Sequence, residues 1–467
     1  MKTFLISITL FIFISLGTDS FSQEQAVDYP DDFIMEYMAE KHIAGMSAVI
    51  VIGDSVMWKN HYGYAIVEDS LPVTDTTLFN IFSISKLITA VCQLQCWENN
   101  MIGLDENINE FMPFFIDNPH LEDDNFSVRD LMTHTSSIYD YKFHDYTIDH
   151  HDPTMSLAYM MENYLSEGGD FYDSHNFLNR VPGEYYSYSN FGVALNGLVV
   201  EQISGIDYAN YSKDSLFQPL NMDRTAWFLN DLDTNNLAPG YYYAFNRYNK
   251  YPHQGNPAYP GVSCRSTALE LSNLLIMLMN DGIYKDEVIL QPKTIDTMCN
   301  VYLTESGNGI GLGIYKKSIN GQIVWGHNGG GQAGYAAHFY MCPGNNTGVV
   351  ITTNSSHYPT PVLDELFDYA SLLTSVSEKP KVSEIEAMVY PNPSTIRVTV
   401  AIECVEFSNC MMTMFNQYGL QVRPTELEKL NPGKTYINLN ISDLRAGIYF
   451  IRLQIGNETM TKKIVKL

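Results

Sequence analysis

Two hydrophobic periods alternate along this chain. Residues 31 to 43 (DDFIMEYMAEKHI) set Phe33, Ile34, Tyr37, Met38 and Ile43 at helical spacing behind an aspartate, which predicts an amphipathic first helix with an aspartate cap. The stretch MSAVIVIGDSVMWKNHYGYAIV then reads as two apolar strands turning at Gly53-Asp54. A long middle region of helices and loops follows. Short strands return in GLGIYKKSINGQIVWGHNGGGQAGYAAHFYMCPGNNTGVVITTN, punctuated by Asn-Gly, Gly-Gly-Gly and Pro-Gly-Asn-Asn. Residues 361 to 374 (PVLDELFDYASLLT) line up Val362, Leu363, Leu366, Phe367, Ala370 and Leu373 on one helix face. Strands near both ends with helices between them predict an α/β (α+β) architecture. An antiparallel sheet sewn from the two termini is flanked by helices, a helical lobe stands beside it, and a cleft lies between the two.

The pattern changes after residue 374. SVSEKPKVSEIE is polar, charged and free of aromatics, so a linker is placed at 375–387. Beyond it, GIYFIRLQIGNETMTKKIVKL alternates, with Tyr449, Ile451, Leu453 and Ile455 on one face and a turn at Gly456-Asn457. Residues 388–467 are therefore expected to form a small all-β sandwich, and residues 23–374 the larger domain. At the other end, Lys2 precedes an apolar run from Phe4 to Leu16 that is too short to span a bilayer, and the small residues Ser20 and Ser22 follow it. Residues 1–22 read as a removed secretory signal, which makes the protein exported, either secreted or anchored at the cell surface. No later stretch reads as a transmembrane segment. No fixed-period repeat occurs, which argues against a solenoid.

Composition narrows the partners. The formal charge of −26, from 53 acidic and 27 basic residues, disfavours nucleic acids and anionic membranes. Seven cysteines without a repeated spacing do not outline a disulfide framework, although Cys404 and Cys410 are near enough to pair. Cys92 and Cys96, one helical turn apart, are poorly placed for a bridge.

Candidate chemistry begins at NIFSISKLITA. Ser83 and Lys86 are three apart, so on a helix they lie about 60° from one another on one face, while Ser85 points nearly opposite Ser83. Ile84, Leu87, Ile88, Val91 and Leu94 keep helical spacing, which puts Ser83 in the first turn, where the macrodipole favours developing negative charge. A lysine in apolar surroundings loses its proton near neutral pH and could act as base toward Ser83. By itself S-x-x-K also fits an N-cap serine followed by a solvated lysine. In GEYYSYSNFGVALNG, Tyr188 and Asn190 are two apart and face the same way if the segment is extended. VWGHNGGGQAG places His327, Gly329 and Gly330 after an apolar strand, and glycines let a backbone approach a substrate closely enough to form an oxyanion hole.

S-x-x-K, Y-x-N and H-x-G, in that order and at these separations, resemble the serine hydrolases related to class C β-lactamases and D-alanyl-D-alanine carboxypeptidases, the penicillin-recognising group. The flanking GYAIVEDSLPVTDTTLFNIFSISK, VRDLMTHTSSI, PGEYYSYSNFG and FQPLNMDRTAW resemble the same pattern, over roughly residues 30 to 375. The resemblance implies a β-lactamase/transpeptidase-like fold. It also implies Ser83 as acyl-forming nucleophile, Lys86 as its activating partner, Tyr188 as second proton-transfer group and Asn190 as holder of the substrate amide. His327, Gly329 and Gly330 would border the substrate, with the N–H groups of Ser83 and Gly330 forming the oxyanion hole. Amide or ester bonds of a small molecule or peptide would be cleaved through an acyl-enzyme, with no cofactor and no metal. An esterase or amidase unrelated to cell-wall peptides, or a noncatalytic binding protein on the same fold, are the alternatives.

Three positions depart from the family pattern. His327 stands where many members have lysine, and an imidazole partly charged at neutral pH would let activity toward carboxylate-bearing substrates fall as pH rises through its pKa. Asn328 replaces a hydroxyl residue, and Ser137 replaces a glycine in THTSSI. Separately, VYPNPSTIRVTV with LRAGIYFIRLQIGNETMTKKIVKL resembles the sorting domains of type IX secretion cargo, which implies secretion machinery as a partner.

Other motifs point less well. Gly329, Gly331 and Gly334 satisfy G-x-G-x-x-G, but an apparent strand rather than a helix follows. G-x-S-x-G and H-E-x-x-H are both absent from the sequence. KFHDYTIDHHDP, residues 142 to 153, clusters histidines and aspartates and reads as a solvated loop near the cleft mouth rather than as a metal site. The 32 tyrosines read mainly as half-buried packing residues rather than as a sugar-binding platform.

Overall fold

The computed structural model describes residues 30–122, 125–331, 333–376, 386–404, 408–417, 420–430, 433–455 and 458–467. The signal expected at 1–22, the turn at Gly456-Asn457 and the side chain of Cys404 lie outside them. The chain divides into two compact units, Met1–Leu372 and Leu373–Leu467.

In the first unit, α1 (Asp31–Lys41) leads into β1 (Gly45–Ile52), β2 (Ser55–Ile66) and the short β3 (Leu71–Pro72). The principal helices of the middle region are α2 (Ile84–Glu98), α3 (Asn190–Ser204) and α4 (Ala268–Met279). Six strands follow: β4 (Leu303–Glu305), β5 (Asn308–Ile310), β6 (Tyr315–Ile319), β7 (Gln322–Gly331), β8 (Tyr335–Cys342) and β9 (Thr347–Thr353). Helix α5 (Thr360–Val376) comes last. Among the described residues the strands form one antiparallel sheet in the order β4-β5-β6-β7-β8-β9-β1-β2-β3, so the two ends of the unit meet where β9 pairs with β1.

The sheet is covered on both faces, which is why β1 reads as a continuous apolar run. Val49 and Val51 join the core that contains Leu274 and Leu275 of α4. On the opposite face, Asn60 and Tyr62 of β2 donate to the Asp31 carboxylate of α1, and Trp58 meets Tyr369 of α5 edge-on. Helix α2 is buried on nearly every side from Ile84 to Cys96, its polar Ser85, Lys86, Thr89, Gln93 and Gln95 included, and packs against the more apolar α3. A short antiparallel pairing of Phe79–Asn80 with Arg265–Ser266 ties the entry to α2 to the entry to α4.

Three expectations are corrected here. The first helix has Pro30 at its N-cap with no side-chain cap, because Asp31 is drawn instead to Asn60 and Tyr62. Its apolar face is narrower than the spacing indicated: Ile34 and Met38 are buried, but Phe33 stays 40% exposed. Asn190 is not in an extended segment but is the first residue of α3, capped by Ser189. Ser137, for which the sequence suggests no role, has φ +62, a left-handed conformation that glycine adopts without strain, and its hydroxyl donates to Arg180 O at 2.5 Å. The glycine pattern at this position therefore reflects backbone geometry. Cys96 Sγ donates to Tyr211 OH at 3.4 Å and Cys92 stays a buried thiol, so no bridge joins them.

The second unit contains β10 (Glu386–Tyr390), β11 (Arg397–Cys404), β12 (Ser408–Asn416), β13 (Gln421–Leu430), β14 (Gly433–Asn440), β15 (Gly447–Ile455) and β16 (Glu458–Lys466). They build two sheets, β10-β11-β14 and β13-β12-β15-β16. Tyr449, Ile451, Leu453 and Ile455 enter a common core with Val398, Val400 and Ile402 of the other sheet, as their period of two places them on one face. No helix among the described residues is long and apolar enough to cross a membrane.

The two faces of α1 differ enough to measure. Ile34→Ala should lower unfolding free energy by roughly 2–5 kcal/mol, whereas Phe33→Ala should change it by less than about 1 kcal/mol; denaturant unfolding of the two variants checks this.

Candidate active site

The entry to α2 is built under constraint. Phe82, the residue before Ser83, has φ +44, which an L-residue of this size adopts at a cost of about 1–2 kcal/mol. Asn80 Oδ1 accepts from Phe82 N–H at 2.9 Å and holds the turn. The turn presents Ser83 at the N-cap of α2, with its side chain in the cleft rather than on the helix's own backbone.

Three elements converge on Ser83. Tyr188, in the segment leading to α3, donates its phenol proton to Ser83 Oγ at 2.7 Å. Lys86, one turn into α2 and 1% exposed, brings Nζ to 3.2 Å from the same oxygen. Its amine also donates to Asn190 Oδ1 at 2.6 Å and to Gly261 O at 2.8 Å. Those two acceptors use both N–H bonds of a neutral amine and leave its lone pair for Ser83. Burial lowers the Lys86 pKa to about 7, partly offset by the negative charge of Asp140. Burial pushes the Tyr188 phenol up, with its bond to Ser83 acting the other way, so Tyr188 is a proton donor at neutral pH.

Strand β7 forms the opposite wall. Its pairing with β6 stops at Gly326, while its pairing with β8 runs on to Gly331, so from His327 onward one edge is open. A Cβ on Gly329 would collide with Ile81 O, and one on Gly330 with the Tyr358 hydroxyl. At Gly329 only glycine lets the strand lie so close to the backbone of the turn that carries Ser83. Gly330 lines the same cleft, of about 420 Å³, as Ser83, Tyr188 and Asn190.

His327 departs from its sequence reading. It is 4% exposed, its Nδ1–H donates to Asn328 O at 2.6 Å, and burial together with nearby Lys86 lowers its pKa to about 3. The imidazole is neutral throughout the physiological range and is not the charge anchor that an exposed histidine would be, so the activity loss expected on its deprotonation near neutral pH does not arise. Asn328 is held by Tyr340 OH at 2.6 Å and His338 Nδ1 at 2.9 Å, both on its Oδ1. Of the loop at 142–153, Phe143, His144 and Thr147 line the cleft, whereas Asp152 accepts from the N–H groups of Leu229 and Asn230.

Two supporting residues escape the sequence reading. Asp140 accepts four hydrogen bonds: Ser189 Oγ (3.0 Å), Asn190 N (2.8 Å), Asn190 Nδ2 (2.7 Å) and Phe191 N (3.1 Å). By taking Nδ2 it turns Asn190 Oδ1 toward Lys86. His134 accepts from Ser189 N–H and lies 4.5 Å from the Tyr188 ring; burial first, then Lys86 and His327, hold it neutral. Asp140 sits two residues past THTSSI and fifty before its partner. Local spacing carries no sign of it.

Residues 30–372 match the family described as Beta-lactamase. The chain belongs to the beta-lactamase family. Among curated relatives of this beta-lactamase-family chain, penicillin-binding protein 4* of Bacillus subtilis is 26% identical over 216 residues, covering 45% of the chain and 44% of the relative. Protein flp of Staphylococcus aureus is 26% identical over 211 residues, covering 45% and 40%. The chain thus spans less than half the length of each. Among solved structures, the octameric penicillin-binding protein homologue from Pyrococcus abyssi superposes with TM-score 0.61 at 22% identity, covering 94% of this chain and 96% of that one. EstCE1, described as a hydrolase with promiscuous acyltransferase activity, gives 0.58 at 20% identity, covering 73% and 96%. Both share the fold. Residues 388–467 match the Secretion system C-terminal sorting domain, so the beta-lactamase-family unit is joined to a type IX sorting module of an exported protein.

Asp140→Asn should reduce acylation about 10- to 100-fold by releasing Asn190. Because Asp140 raises the Lys86 pKa, its loss should also move the acid limb of the pH–rate profile to lower pH. A rate loss with an unmoved limb would make Asp140 merely structural.

Proposed function

We propose that this protein is an exported serine hydrolase that cleaves ester or amide bonds through an acyl-enzyme on Ser83. The observation that carries the reading is the three-way contact at Ser83 Oγ, with Lys86 Nζ at 3.2 Å and Tyr188 OH at 2.7 Å. Lys86, with both N–H bonds engaged, accepts the Ser83 proton as Oγ bonds to the substrate carbonyl carbon and the π pair moves to the carbonyl oxygen. The N–H groups of Ser83 and Gly330 receive that oxygen, helped by the α2 N-terminus. Collapse expels the leaving group with a proton from Tyr188, and Lys86 returns a proton to the phenol oxygen. Water then repeats the sequence on the acyl-enzyme, releasing a carboxylic acid.

Asn190 has two roles in this reading, orienting Lys86 and meeting the substrate. His327 and Gly329 shape the wall through packing, Gly329 by admitting the strand and His327 as a neutral ring. Residues 1–22 act as a removed leader, 23–376 as the hydrolase, the stretch between α5 and β10 as a linker narrower than the expected 375–387, and 386–467 as the address read by the secretion machinery. A noncatalytic binder would gain nothing from burying an amine at such desolvation cost beside a serine hydroxyl.

A fluorophosphonate probe followed by intact-mass analysis should show one adduct, lost in Ser83→Ala and slowed at least about 10³-fold in Lys86→Ala. The acylation rate should rise with pH through about 7, because only the unprotonated Lys86 accepts the proton, and then level off. A folded protein without an adduct would favour the binder.

A further inference from the structure

The chemistry of the cleft walls narrows the substrate class. None of the described residues lining the cleft is Asp, Glu, Lys or Arg. Its polar lining consists of carboxamides, such as Asn190 and Gln254, of serine, threonine and tyrosine hydroxyls, and of the His144 imidazole, and its apolar lining comes from Phe82, Phe143, Val262 and Ala333. The left-handed turn at Phe82 puts an aromatic ring beside Ser83, where it meets Tyr335 at 5.9 Å.

Lys86, Asp140 and Arg265 stand behind the walls of the cleft with their hydrogen bonds already made. Lys86 is bound to Asn190 and Gly261. Asp140 has its four donors. Arg265, 1% exposed, donates to the carbonyl oxygens of Trp227, Ser263 and Gln254, and so braces two lining residues from the rear instead of facing a substrate. At the rim, Asp149 accepts from Gln254 Nε2 and adds negative charge. The chain as a whole carries −26. A carboxylate entering this cleft would lose its water without gaining a counter-ion, and would approach against the protein's field.

Resting on Ser83 as the acylated group, we infer that the substrates are neutral acyl donors, esters or amides bearing no carboxylate on either side of the scissile bond. For an ester, the Ser83 Oγ–C bond forms, the C–O bond to the alcohol breaks, and the alcohol leaves with one proton; water then yields the carboxylic acid and restores Ser83. The ionised product finds no counter-ion in the cleft, which favours its release.

The test uses phenyl butyrate and 3-carboxyphenyl butyrate, matched except for the charge on the leaving group, assayed at about pH 8 by phenol release and by intact mass of the acyl-enzyme. The neutral ester should react with at least about tenfold higher kcat/KM. His144→Lys, which adds a cation at an exposed position of the cleft lining, should narrow that ratio at least about threefold, while Ser83→Ala should abolish both reactions. Equal rates or preference for the carboxylate, with a fluorophosphonate adduct still forming on Ser83, would overturn this inference and leave the hydrolase reading standing. So would an adduct with neither ester acylating Ser83. No adduct and no reaction with either ester would overturn both.

Discussion

Everything at the site depends on keeping the Lys86 amine out of water. Buried at the first turn of α2, it is a costly charge as an ammonium, so the neutral amine is favoured, with a carboxamide oxygen and a carbonyl taking its two N–H bonds and its lone pair left beside the serine oxygen. This explains why α2 is buried on nearly every side from Ile84 to Cys96, since a half-exposed helix could not desolvate Lys86. It also explains why the segment before α3 must dock against α2: Tyr188 and Asn190 reach Ser83 and Lys86 only from there.

The same site needs the sheet to come unusually near. Gly329 lets β7 lie against the backbone of the turn at Ile81, and the early end of β6 leaves that strand's edge open. Strain at Phe82 and close approach at Gly329 are two halves of one arrangement, a serine pressed toward an open strand edge. Charge is then placed behind this arrangement rather than in it. Asp140 acts through Asn190, Arg265 acts through backbone carbonyls, and the described residues lining the cleft include no Asp, Glu, Lys or Arg.

Much of this was readable from the chain. Period and turn residues located the hairpin at Gly53-Asp54, the closing helix and the alternating strand from Tyr449 to Ile455, because each is a local pattern facing one core. Ser83, Lys86, Tyr188 and Asn190 stood out through motif spacing. What could not be read was long-range. Asp140 lies fifty residues from Asn190, and nothing near either reveals the pairing. The neutral state of His327 follows from burial behind Tyr315 and Tyr188, which no local spacing reports. The loss of an aspartate cap at α1 has the same cause: a tertiary partner, here Asn60 and Tyr62, outbid the local bond. Ser137 is the converse, a residue whose identity was visible but whose left-handed backbone was not.

The most direct measurement is the ionisation of Lys86 itself, followed by the ¹³Cε resonance of labelled lysine and assigned by its loss in Lys86→Met. A midpoint near 7 is the result expected of a buried amine that serves as base toward Ser83. A midpoint near the ordinary lysine value of about 10.4 would mean a charged ammonium at neutral pH, and would contradict that role.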